Sequence, residues 1–119
     1  LSGGMRMRAA LPLLLALAPT PALADATCRF VTECVDDAPC TASDYAFTLE
    51  MKEMAATLVT PSASIEGRLG VTPDGATYAL AVGDGGVHLL TVLGDTARYT
   101  VHLPGAGLAI TYLGTCGTE

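Results

Sequence analysis

From Asp44 to Cys116 apolar residues keep returning at every second position, and clusters of turn residues cut the pattern into short pieces. A period of two belongs to extended chain, because successive side chains on a strand point to opposite faces. In DYAFTLEMK, Tyr45, Phe47, Leu49 and Met51 share one face, and Ala46, Thr48, Glu50 and Lys52 the other. A helix from Ser43 to Leu58 is the rival, since this stretch is rich in good helix formers. The alternation is cleaner than any 3.6-residue stripe, so a strand is expected. Thr57 to Thr60 reads as a short strand stopped by Pro61. SIEGRLGV sets Ile65, Leu69 and Val71 opposite Glu66 and Arg68, with Gly67 as a candidate bulge.

ATYALAV, GVHLLTVL, ARYTVHL and LAITYLGTC continue the series. GVHLLTVL is apolar on both faces, as a central strand would be. ARYTVHL puts Tyr99, Val101 and Leu103 inward and Arg98, Thr100 and His102 outward. LAITYLGTC puts Leu108, Ile110 and Tyr112 on one face. Thr72-Pro73-Asp74-Gly75, Gly83-Asp84-Gly85-Gly86, Gly94-Asp95 and Pro104-Gly105 supply turns between them. About eight short strands at near-regular spacing argue an all-β antiparallel meander, folded as a small sandwich or flattened barrel. Closure would remove the exposed edges of the first and last strands.

The first 24 residues have the order of an export leader. Met5-Arg6-Met7-Arg8 is basic, Leu11 to Ala18 is apolar, and Ala22-Leu23-Ala24 has the small-x-small form of a cleavage site. The apolar run is too short to cross a bilayer core of about 30 Å, so no stable membrane anchor is expected after cleavage. Leu1 to Gly4 precede a plausible start at Met5 and are left out of fold reasoning. Residues 25–119 then form a single domain, periplasmic or secreted, of a size that gains from covalent help.

Export changes how Cys28, Cys34, Cys40 and Cys116 are read, because thiols outside the cytosol tend to be oxidised. Residues 28–35 look like a strand, with Cys28, Phe30, Thr32 and Cys34 on one face. Cys28 and Cys34 would then lie roughly 20 Å apart at about 3.3 Å per residue, too far for a bond. The preferred pairing is Cys34–Cys40 across the Asp36-Asp37-Ala38-Pro39 turn, with Cys28–Cys116 joining first strand to last. Cys28–Cys40 with Cys34–Cys116 stays open. Zinc is disfavoured, since five residues separate successive cysteines where paired ligands usually have two to four. A dithiol redox centre needs C-x-x-C, which is absent.

Residues 25–119 hold all 12 acidic residues of the chain and four basic ones, Arg29, Lys52, Arg68 and Arg98. That acidic balance speaks against nucleic acid or an anionic membrane as partner and suits a basic one. Along the sequence the acids are scattered, which is also the pattern of ordinary solubility. No G-x-S-x-G, H-E-x-x-H or phosphate-binding glycine loop is present. His102, beside Arg98 and Thr100, is the only general-base candidate, and a solvated histidine is the commoner use of such a position. His88 reads as a satisfied, partly buried histidine. Asp36-Asp37 with Asp44, and the GDGG turn, lack the carboxylate spacing of a calcium loop. Met51 and Met54 lack the further ligands of a copper(I) site. No metal or cofactor is expected. The six aromatics mostly alternate inward and form no evident sugar-binding platform.

With its leader, short meander and terminal cysteine in YLGTC, the chain is similar in size and plan to small β-barrel periplasmic lysozyme inhibitors, though it carries no inhibitor motif. The expectation is a non-catalytic binding or inhibitor-like module of the bacterial envelope, with a basic envelope or extracellular protein as partner. The alternatives are an assembly component acting through a strand edge and, last, a hydrolase-like enzyme.

Overall fold

The computed structural model describes residues 25–118, so the leader reading for residues 1–24 lies outside the described residues. Nine strands follow in order: β1 (Ala26–Val35), β2 (Thr41–Ala42), β3 (Ala46–Lys52), β4 (Ala55–Val59), β5 (Ser64–Val71), β6 (Thr77–Gly83), β7 (Gly86–Leu93), β8 (Thr96–Leu103) and β9 (Leu108–Thr118). Each long strand pairs antiparallel with its sequence neighbours, and β1 also pairs with β9. The sheet therefore closes into an eight-stranded up-and-down barrel, with the two-residue β2 added beside β1. The choice between sandwich and barrel falls to the barrel, and the helix alternative for residues 43–58 gives way to β3 and β4.

The turn chemistry is that expected of hairpins. Asp84 and Gly85 both take positive φ, 51° and 76°, in the two-residue loop between β6 and β7. Asp-Gly is a preferred pair for such loops, whose twist matches that of the strands they join. Gly94 supplies the positive φ at the first position of the next loop. The β5–β6, β7–β8 and β3–β4 connections lie at one end of the barrel, here called lower. The connections at 36–45, 60–63, 84–85 and 104–107 lie at the other, upper end.

Both disulfides follow the preferred pairing. Cys28 and Cys116 are direct partners on β1 and β9, so their bond fastens the strands that close the barrel. Cys34–Cys40 closes the short excursion that leads into β2. Two disulfides accord with an oxidising compartment outside the cytoplasm.

One strand departs from simple alternation. The β1–β9 register shifts between Phe30 and Thr32, a bulge at Val31. Cys28 and Phe30 face the core, but Thr32 and Cys34 do not continue on that face. Glu33 instead pairs with Tyr112, which packs against the core cluster. The expected common face for Cys28, Phe30, Thr32 and Cys34 is thus corrected. The cause is pairing: β1 must match β9 along its length while changing partner from β3 below to β2 above, and the extra residue re-aims the chain. Gly114 permits it, since a Cβ there would stand 2.0 Å from the Arg29 carbonyl oxygen and 2.6 Å from Phe30 Cα.

Gly67 is not a bulge. β5 keeps an unbroken register with β4 and β6. A Cβ at Gly67 would meet the Leu80 carbonyl oxygen at 2.1 Å and Ala81 Cβ at 2.7 Å, so close approach of β6 is what excludes a side chain. Val71, expected inward with Ile65 and Leu69, is exposed. Tyr78 points outward and lies over Gly70.

The core divides by size around the barrel. Phe30, Phe47, Tyr99 and Tyr112 come from β1, β3, β8 and β9, while Ala56, Gly67, Ala79 and Ala81 come from β4 to β6 across the interior. Large rings opposite small residues suit the narrow interior of an eight-stranded barrel, which side chains fill.

Candidate functional site at the upper end of the barrel

His88 lies near the upper end of β7 and faces the interior of the barrel. It is 4% exposed, and both ring nitrogens have partners. Nε2 lies 2.8 Å from the Gly83 carbonyl oxygen and Nδ1 lies 2.6 Å from the Tyr99 hydroxyl. A carbonyl only accepts, so Nε2 carries the proton of the neutral ring and the Tyr99 hydroxyl donates to Nδ1. The expected satisfied histidine is found, more deeply buried than alternation implied.

Beside it the tyrosines stack. Tyr99 and Tyr112 rings are 5.7 Å apart at 21°, and Tyr45 and Tyr112 are 4.7 Å apart at 22°. Burial pushes the Tyr112 hydroxyl up to about 12, with the Glu33 carboxylate adding to the shift. Burial also raises Tyr45 and Tyr99. The three hydroxyls are thus held protonated, which suits donors and does not make nucleophiles or bases of them near neutral pH.

Tyr45 and Tyr112 are only half-buried, and with Glu33, Ala42, Ser43 and Asp44 they line a depression of about 490 Å³ at the barrel mouth. The Tyr112 hydroxyl donates to Glu33 Oε2 at 3.4 Å, and the Ser43 hydroxyl oxygen accepts the Tyr45 N–H at 3.0 Å. Alternation already put both tyrosines inward, but only the closed barrel brings them together. Glu33 was assigned to the face opposite Cys28, and the bulge at Val31 turns it toward the mouth instead.

The fold also sorts charge. Glu33, Asp36, Asp37, Asp44, Glu66 and Asp84 lie on the upper connections or the upper parts of their strands. Arg29, Lys52, Arg68 and Arg98 all lie on the lower parts of theirs. The acids divide between the two ends, with Asp25, Glu50, Glu53, Asp74 and Asp95 at the lower one, but the four bases all lie toward that lower end, so the upper end holds no lysine or arginine among the described residues. Asp36 is held in place: at φ 48° its Oδ1 accepts the Ala109 N–H at 2.9 Å. Asp84 Oδ2 accepts from the Ser62 hydroxyl at 3.0 Å.

The outer wall is apolar along β6 and β7. Leu80 pairs with Leu89 and Val82 with Val87, all four exposed, so the two-sided apolarity of GVHLLTVL includes a solvent-facing half. Val87 leads into a shallow groove of about 630 Å³ lined also by Asp36, His102, Leu103, Pro104 and Leu108. His102 is exposed in this groove, as expected of the outer face. Arg98 shares that face lower down, paired with Leu113 and Thr91, and does not line the groove.

Cys28, Cys116, Cys34 and Cys40 are all bonded and fasten the frame. Among the described residues no three His, Cys, Asp or Glu side chains converge as a metal group. Met51 packs on the core and Met54 is exposed in the β3–β4 turn. What fold and site define is a small disulfide-stapled β-barrel with an acidic, tyrosine-walled mouth. No protein-family model, curated protein or solved structure matches the chain.

Proposed function

We propose that the chain is an exported, non-catalytic binding or inhibitor-like module of the bacterial envelope that takes a basic partner protein at the upper end of its barrel. The observation that carries this reading is the sorting of charge: among the described residues all four bases lie toward the lower end, which leaves the six carboxylates of the upper end without a lysine or arginine beside them. Such an end steers a basic partner during approach and rejects acidic ones. The apolar groove beside Val87 and Leu108, with Asp36 at its lip, adds the apolar centre and charged rim usual in protein interfaces.

The strand-edge reading has less support, because closure leaves β2, two residues long, as the strand with a free edge. The hydrolase reading rests on His102, which is solvent-exposed on an open outer wall.

Titration with a basic, lysozyme-like envelope hydrolase tests the proposal. The expected result is a complex that weakens as salt rises, since exposed charges are screened beyond about 10 Å at 0.1 M salt. Asp36→Asn with Asp37→Asn and Asp84→Asn should weaken it, and Asp74→Asn at the lower end should not. Failure to bind any basic envelope hydrolase removes the reading.

A further inference from the structure

We propose that the depression at the barrel mouth, between Glu33 and Asp44, receives one guanidinium group, an arginine side chain of the partner. The inference rests on the reading of the upper end as a surface for a basic protein, and it names the group that anchors there.

Four features meet at this place. The depression, at about 490 Å³, has room for a side chain rather than an ion. Its wall is the Tyr45–Tyr112 ring pair, with centroids 4.7 Å apart and both residues partly buried. Glu33 and Asp44 reach it from different segments, β1 and the stretch entering β3. No lysine or arginine of the upper end is present to neutralise them among the described residues.

The chemistry selects a planar organic cation. A guanidinium stacks on aromatic faces, is more weakly hydrated than an ammonium, and offers a fork of donors that matches carboxylates. A small metal ion would need several converging oxygens, and no group of three candidate ligands exists among the described residues. The donation from the Tyr112 hydroxyl fixes one oxygen of Glu33 and leaves the other for a ligand. The bulge at Val31 is what aims Glu33 here, so the site depends on that local departure from alternation.

The test uses N-acetyl-arginine amide, with neutral N-acetyl-citrulline amide as its isostere, followed by NMR of the full domain. Saturable shifts of the Tyr45 and Tyr112 ring signals with the arginine probe, absent with the citrulline probe, are expected. Glu33→Gln keeps shape and an acceptor for Tyr112 while removing charge, and should weaken binding roughly fivefold or more. Asp74→Asn, at the lower end of the barrel, should leave it unchanged. Equal shifts with citrulline, or no loss in Glu33→Gln folded as judged by its melting curve, would overturn the proposal. A basic hydrolase that still binds Glu33→Gln with full affinity leaves the partner reading standing and removes this one. Arginine-probe binding without any basic protein partner does the reverse.

Discussion

Replacing Tyr99 by Phe removes one oxygen from the most buried polar contact of the barrel. Tyr99 is 1% exposed and His88 4% exposed, so water cannot replace what is lost. The Phe ring keeps the packing with Phe47 at 4.9 Å and with Tyr112 at 5.7 Å, which isolates the hydroxyl. His88 Nδ1 is then left as a buried acceptor without a donor. Such a group costs about 1–3 kcal/mol. For a domain of this size that is a fall of roughly 4–8 °C in Tm per kcal/mol. His88→Leu should destabilise too, because it strands the buried Tyr99 hydroxyl. The double variant strands neither the hydroxyl nor Nδ1, so its cost should fall short of the sum by about 1 kcal/mol or more. Urea unfolding with disulfides intact measures all four proteins, with an unchanged slope as the sign that compactness is preserved. Tyr99→Phe within about 0.5 kcal/mol of the parent, or strictly additive variants, would refute a hydroxyl-to-imidazole bond as a stabilising element.

Other expectations follow from the same frame. Cys28→Ala with Cys116→Ala opens a loop spanning a sequence separation of 88 and Cys34→Ala with Cys40→Ala one of 6, so chain entropy predicts losses of about 4–5 and about 2 kcal/mol respectively. Chemical denaturation should rank them so, and equal losses would mean that the barrel-closing bond acts otherwise than by constraining the unfolded chain. Gly114→Ala should cost about 3 kcal/mol or more, because its Cβ would strike the Arg29 carbonyl, whereas Gly117→Ala on the same strand meets nothing within 4 Å and should stay within about 0.5 kcal/mol. At alkaline pH, Tyr45, Tyr99 and Tyr112 have raised folded-state values, Tyr112 to about 12. Their contribution is therefore present below the unfolded tyrosine value near 10 and is lost as pH rises toward the folded values. Absorbance at 295 nm should lag behind that of free tyrosine and rise together with loss of the far-UV signal; full ionisation near pH 10 in a still-native fold would contradict this.

Alternation made the strands legible, and it did so best where one register holds from end to end. Tyr45 through Met51 and Tyr99 through Leu103 lie as the period implies. It failed at β1, where Glu33 changes face after an extra residue. Nothing local marks Val31, since the bulge answers the positions of three other strands. Gly67 shows the complementary failure: its glycine was visible, but the reason for it is the distance to β6.

The chain by itself determined the extended segments, their turns, and the exclusion of a Cys28–Cys34 bond, because each depends on spacing over a few residues or on the reach of one strand; between the two remaining cysteine pairings it set a preference, and the structure decided. Tertiary structure alone decided that the sheet closes, that Glu33 meets Tyr112, and that the four basic residues lie toward one end and leave the acids of the other without them. These are relations between residues as far as 79 positions apart, as Glu33 and Tyr112 are. Strand direction alternates along the meander, so residues far apart in sequence return to the same end, and only the paired register says which of them become neighbours.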